Sequence, residues 1–265
     1  TDSNSLGITV DNSSTVNEFS VGHVTPVSIS PNQILNGSFK IYRGTEYSNL
    51  QLNNTGTLAA NVTISGNGGT VEAQKSMTFS GSLQQVDQHD GFELIIASGE
   101  TMNYSGSEFD IGSHTFKLSG GGTFNNTNNI TLDNSGSKLA ISDSTKISHL
   151  LVSASNTNGG LTISSSVSSS TGNLVENLSL RDSFYVSSDV AWAVGNITAD
   201  TGLTFSSDKN LNVGALTLTG SADLSLGTDN ITLSVSGPVT VGNTQKLQNG
   251  GGSFNFIGGL SLETG

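Results

Sequence analysis

The chain contains no cysteine and only three prolines among its 265 residues. Without cysteine it can form neither disulfides nor metal sites built on thiolates. Charged residues make up only 11% of the sequence, against about 25% in a typical globular protein. We therefore expect a regular apolar core to provide the stability and neutral polar side chains to cover the surface, as in an extracellular protein.

Basic residues are especially scarce. Nine Lys and Arg stand against 21 Asp and Glu, which gives a formal net charge of -12. Such a chain repels a phosphate backbone, so we expect no nucleic-acid partner. No apolar run approaches the roughly 18 residues that a membrane helix needs, so we also expect no membrane insertion.

The sequence is rich in triplets in which a polar residue separates two apolar ones. Leu216-Thr217-Leu218 and Val239-Thr240-Val241 are two of them, and short stretches of Gly, Ser, Asp and Asn separate such triplets. Alternation with period two predicts β-strands, and these turn residues predict tight corners between them. The chain is therefore expected to be all-β.

The triplets recur with a long period. Triplet starts are 23 residues apart between Leu216 and Val239, and 21 apart between Leu203 and Leu224. About three triplets fall within each period of roughly 22 residues, which is typical of a β-solenoid. We predict a parallel β-helix with about three short strands per coil.

Three segments depart from this pattern. We expect residues 1–45 to be less regular N-terminal coils or a cap, and residues 46–265 to be the solenoid. Corner insertions are expected near residues 87–108 and 181–200. The first residues include no initiator Met or leader, and the last follow a core triplet directly, so we expect a segment cut from a longer protein.

The triplet-rich stretches 56–81 and 227–243 resemble large secreted bacterial surface proteins. These are the right-handed parallel β-helices of the filamentous-haemagglutinin and autotransporter-passenger kind. The resemblance implies a right-handed winding of the coil and a non-enzymatic structural or adhesion role at the cell surface. Partners would then be surface glycans, surface proteins or further copies of the chain. The alternative is a polysaccharide lyase or glycoside hydrolase on the same scaffold.

The densest ionisable cluster comprises Asp87, His89, Asp90 and Glu93. Carboxylates beside an imidazole can act as a general acid and base, or bind a hard cation such as calcium. The spacing fits no calcium loop, so a solvated corner insertion is the competing interpretation. No other cofactor is expected.

A second candidate set comprises Arg181, Asp182, Asp189 and Trp192. A cation with carboxylates and an indole ring could contact a sugar. However, Trp192 alternates with Val190 and Val194, which favours burial of the ring.

Outward-facing threonines also suggest an ice-binding face, which would require a regular threonine ladder on one side. Middle positions of other triplets hold Gln51, Asp110 and Lys117, which disfavours this hypothesis.

Overall fold

A computed structural model describes most of the chain as one continuous stack of β-coils. The described residues are 7–21, 24–42, 48–53, 55–65, 69–85, 92–168, 172–200, 203–219, 223–227, 231–242 and 246–262.

One side of the coil, which we call the first face, is a sheet of twelve parallel strands. Its strands, in order of stacking, are β1 (Ile8–Val10), β3 (Val24–Ile29), β5 (Ser48–Leu52), β8 (Gly69–Ala73), β11 (Phe92–Ile96), β14 (Thr115–Ser119), β17 (Lys138–Ile141), β19 (Asn156–Ile163), β21 (Phe184–Ser188), β23 (Leu203–Ser207), β25 (Leu224–Leu226) and β28 (Leu247–Gln248).

The other eighteen strands form a second sheet, which covers two faces because its long strands run across both. The long strands are β2 (Ser14–Val21), β4 (Ile34–Tyr42), β18 (Lys146–Val152), β20 (Val175–Leu180), β22 (Trp192–Ala199) and β24 (Leu211–Leu218). Short strands on the second face are β6 (Thr57–Leu58), β9 (Met77–Phe79), β12 (Thr101–Tyr104), β15 (Thr123–Asn126), β26 (Thr232–Val235) and β29 (Ser253–Phe256). Short strands on the third face are β7 (Asn61–Ser65), β10 (Leu83–Gln85), β13 (Phe109–Asp110), β16 (Ile130–Leu132), β27 (Val239–Val241) and β30 (Leu260–Leu262).

The triplets stack in register, with apolar residues above apolar residues and polar residues above polar residues. Leu216 pairs with Val239, and Thr217 with Thr240, one period later in the chain. Adjacent strands lie about 4.8 Å apart, so each apolar residue packs on its counterpart in the next coil. The prediction of an all-β parallel solenoid with coils of about 22 residues is confirmed, whereas its right-handed winding stays a prediction.

A single apolar core runs along the coil. It contains aliphatic rows and a group of aromatic rings in which Phe116 stacks on Phe92 at 5.1 Å and meets the edge of Phe109 at 4.8 Å. Such offset and edge contacts add to the stabilisation that burial provides. Burial in this continuous core explains how a chain without disulfides can be stable.

The long strands show how two triplets can merge. In β24, Leu211 and Val213 face the core of the second face, while Leu216 and Leu218 face the core of the third. Gly214 and Ala215 lie between them and shift the alternation by one residue. The chain therefore bends around the core without leaving the sheet.

The segments that depart from the triplet pattern also contribute strands. Residues 181–200, expected to be a corner insertion, hold β21 and β22, which pair in register with the coils on either side. Residues 92–96 form β11, which pairs with β14, and residues 101–104 form β12, which pairs with β15. Within residues 1–45, β1 pairs with β3 and β2 pairs with β4. In the described part of the chain, no helix is long and apolar enough to cross a membrane.

Candidate functional site

The ladder of the third face is interrupted between β10 and β13. Among the described residues, β10 pairs only with β7 and β13 only with β16. The buried hydroxyl of Tyr104 replaces part of the missing pairing: it accepts a hydrogen bond from Leu83 N at 3.2 Å and donates one to Ser107 O at 2.9 Å. Burial raises the pKa of Tyr104, so the hydroxyl keeps its proton and can act as this donor.

A cavity of about 430 Å³ opens at this interruption. Its lining comes from both sides of the gap: Gln84 lies on β10, Glu108 just before β13, Asp110 on β13 and His114 after it. Small-molecule sites are usually concave and combine a largely apolar lining with a few polar groups, and this cavity has the concave form and the polar groups. We call this region the carboxylate pocket.

The carboxylate pocket borders a cluster of three acids from two neighbouring coils. Asp110 accepts a hydrogen bond from Gly112 N at 2.8 Å, and Glu108 accepts one from Thr131 Oγ1. Asp133 has a raised pKa, first because it is partly desolvated, then because of its hydrogen bond to Asp110 and the negative charges of Asp110 and Glu108. The contact with Asp110 thus helps to keep the pKa of Asp133 above its ordinary value and holds the two carboxyl groups within hydrogen-bonding distance.

This geometry limits the chemistry of the carboxylate pocket. Two carboxyls joined by a hydrogen bond are closer than the about 5 to 5.5 Å of a retaining glycosidase, and much closer than the pair of an inverting one. Within the described ranges, no group of three or more His, Asp or Glu is arranged to hold a metal ion. Asp110 and Asp133 are therefore not spaced for attack on opposite sides of a glycosidic bond.

The first set of predicted site residues is only partly described. Asp87, His89 and Asp90 lie outside the described residues. Glu93 lies on β11, on the first face, where its Oε1 accepts a hydrogen bond from Ser119 Oγ at 2.5 Å. Glu93 is also directly in register with Lys117 on the next strand.

The second set is distributed over a corner, a strand end and the core. Arg181 pairs through Nε with Asp200 Oδ2 at 3.3 Å, and Asp182 accepts a hydrogen bond from Ser183 N at 2.7 Å. Asp189 lies beyond the opposite end of β21 and accepts a hydrogen bond from Ser165 N at 3.0 Å.

Trp192 is 3% exposed and its indole N–H points to Ser207 Oγ at 3.3 Å. Its ring therefore faces the core, and the structure does not gather these four side chains around one space.

Sequence reasoning did not single out Glu108, Asp110 and Asp133 as a cluster. The available signal was the separation of 23 residues between Asp110 and Asp133, which is one period of the solenoid. The outward threonines, by contrast, are divided among faces: Thr162 and Thr204 lie on the first face, Thr232 on the second and Thr217 and Thr240 on the third.

Comparisons with known proteins give no relative. No protein-family model, no curated protein and no solved structure matches this chain.

Proposed function

We propose that this chain is a non-enzymatic segment of an extracellular or cell-surface protein, in which a rigid β-solenoid presents a binding surface. One observation carries the proposal: uncharged Ser, Thr and Asn side chains form long outward rows over a core that repeats without interruption. A regular scaffold holds such rows at fixed spacing, which lowers the entropic cost of ordering the surface when a partner binds. The partners would be surface glycans or proteins, or further copies of the chain.

Adhesion of the purified chain tests this proposal. Coated surfaces should retain bacterial or host cells more strongly than surfaces coated with the urea-unfolded chain. Retention should survive removal of the carboxylates in the variant Glu108→Gln/Asp110→Asn/Asp133→Asn. Equal retention by the folded and unfolded chains would contradict a surface that depends on the fold.

A carbohydrate-active enzyme is the second candidate, because Asp110 lines the carboxylate pocket with His114 and is hydrogen-bonded to Asp133, whose pKa is raised. A carboxyl whose pKa is raised, next to a second carboxyl, is a recurrent acid and base arrangement. The spacing of Asp110 and Asp133 opposes glycoside hydrolysis by this pair, so lyase chemistry would be the version to test.

A panel of neutral and acidic polysaccharides distinguishes the two candidates. The non-enzymatic proposal predicts neither new reducing ends nor unsaturated products from any of them. Product that appears with the native chain and disappears in Asp110→Asn would establish the enzyme instead.

A further inference from the structure

The outward row of the third face becomes a hydroxyl ladder in its last part. Ser179, Thr198, Thr217 and Thr240 lie in direct register on consecutive coils. The same row continues to Ser261 on the last strand of the face. The hydroxyls of Ser179, Thr198, Thr217 and Thr240 make no side-chain hydrogen bond to any described residue, so these four are available to a ligand.

A second neutral row runs beside the ladder, across the bend between the second and third faces. Ala193 pairs with Asn212, Asn212 with Ser234, and Ser234 with Asn255. The amides of Asn212 and Asn255 are exposed and can both donate and accept hydrogen bonds.

Glycine forms the floor between the two rows. A Cβ on Gly214 would lie 2.3 Å from Gly195 O, and one on Gly237 would lie 2.3 Å from Gly214 O. Only glycine fits at such a close approach of stacked backbones. A depression of about 170 Å³ lies at Gly214 and is also lined by Asn212, Ser234 and Ser236. At its C-terminal end lies Ile257, which is 68% exposed.

The surface made by these rows and their glycine floor, which we call the neutral groove, contains no charged side chain from Ala193 to Asn255 among the described residues of the two rows. Glu176 marks its N-terminal end, where Gly195 approaches the carboxylate. With a net charge of -12 on the chain, an anionic ligand would meet repulsion here and no compensating cation. An uncharged ligand with many hydroxyls would meet matching donors and acceptors.

We propose that the neutral groove binds an uncharged polysaccharide chain that lies along the axis of the rod. The repeat of hydroxyl groups about every 4.8 Å along the ladder favours an extended polymer over a single small molecule. Sugar hydroxyls donate and accept as Ser, Thr and Asn side chains do, and burying such pairs avoids the desolvation of charges. This inference rests on the proposed function and assigns it a surface and a ligand class.

Affinity electrophoresis through gels that contain a soluble β-glucan, a galactomannan or alginate tests the inference. The native chain should be retarded by at least one of the two neutral polymers and not by alginate. The double variant Asn212→Glu/Thr217→Glu places charges on both walls and should weaken the retardation about tenfold, as expected when two hydrogen-bonding groups are replaced by repelled carboxylates.

The matched control is Ala140→Glu/Thr162→Glu, which adds the same charge at outward positions of the first face. It should bind within about twofold of the native chain, because substitutions outside a contact surface rarely change affinity. Circular dichroism should show unchanged β-structure in both variants.

The outcomes separate this inference from the proposed function. No retardation by either neutral polymer overturns the polysaccharide assignment, while adhesion to cells can still hold. Retardation that both variants retain, or that both lose equally, overturns the groove. Thermal hysteresis of ice that disappears only in the groove variant would reassign the same rows to ice and contradict the inference.

Discussion

The outward row of the third face differs between its two halves. In the first half it includes Lys40, Gln84, Asp110 and Thr131, and it is interrupted beside the carboxylate pocket. In the second half it becomes a hydroxyl ladder without charge. The inward rows show no such contrast, since apolar residues fill the core throughout. The comparison shows that the repeat constrains the interior, whereas the exterior is free to vary along the rod.

Core substitutions should have the largest effects on stability, and these effects should be the same in both halves. Phe116→Ala in the first half and Phe205→Ala in the second remove rings that are at most 1% exposed. Each should lower the free energy of unfolding by about 3 to 5 kcal/mol, measured by urea denaturation. Lys117→Ala, an outward neighbour, should change it by less than about 0.5 kcal/mol. A loss below about 1 kcal/mol for either phenylalanine would be incompatible with a continuous core.

The glycine floor of the second half should be the next most sensitive feature. Gly214→Ala places a methyl group 2.3 Å from Gly195 O and should cost about 1 to 3 kcal/mol, seen as a lower thermal midpoint. Gly136→Ala in the first half is the control, because its nearest neighbours would lie at an ordinary 3.5 Å. Equal midpoints for the two variants would show that the coils at the bend are not packed as described.

Threonines at equivalent positions of the row sharpen the comparison. Thr131 is buried and donates to Glu108, so Thr131→Ala should cost about 1 kcal/mol in urea denaturation. Thr217 has no described side-chain partner, so Thr217→Ala should change stability by less than about 0.5 kcal/mol. A larger loss of stability in Thr217→Ala than in Thr131→Ala would mean that the ladder hydroxyl contributes to stability and the hydroxyl of Thr131 does not.

The smallest expected effect is a pH dependence confined to the first half. The pKa of Asp133 is raised in the folded chain, so its contribution to stability is complete below the ordinary pKa of an aspartate, about 3.9, and is lost as the pH rises through the raised value. Asp133→Asn should therefore gain stability relative to the native chain as the pH rises from 4 to 7. The gain should stay below about 1 kcal/mol because water screens the group.

Thermal midpoints measured across this pH range provide the check. Glu176→Gln, outside the carboxylate pocket, should follow the native chain at every pH. A midpoint difference between Asp133→Asn and the native chain that does not vary with pH would contradict the repulsion among Asp110, Glu108 and Asp133.

The sequence predicts the repeat well because the interior obeys one simple rule. Leu216-Thr217-Leu218 and Val239-Thr240-Val241 identify strands, and their 23-residue separation places one above the other. Residues 181–200 escape the rule because Phe184 and Trp192 replace the usual aliphatic residues, although both are inward-facing members of paired strands. These aromatic residues alternate with outward residues as the aliphatic triplets do, but a search for aliphatic–polar–aliphatic triplets does not find them.

The candidate site was less accessible to sequence reasoning, since it depends on exact register and on a local exception. Asp110 and Asp133 meet only because β13 stacks on β16, and the carboxylate pocket opens only because β10 and β13 do not pair. Likewise, the neutral groove requires knowing that Asn212 and Thr217 lie on two faces of one bent strand. A linear pattern shows which residues point outward but not which outward residues share a surface.

The most direct test of the central claim is a side-by-side binding measurement on the two halves. Affinity electrophoresis in a neutral polysaccharide should compare the native chain with Asn212→Glu/Thr217→Glu and with Glu108→Gln/Asp110→Asn/Asp133→Asn. The account predicts that the groove variant loses retardation while the carboxylate variant keeps it. Loss of retardation in the carboxylate variant, with full binding by the groove variant, would place the function at the interrupted half of the face and contradict the account.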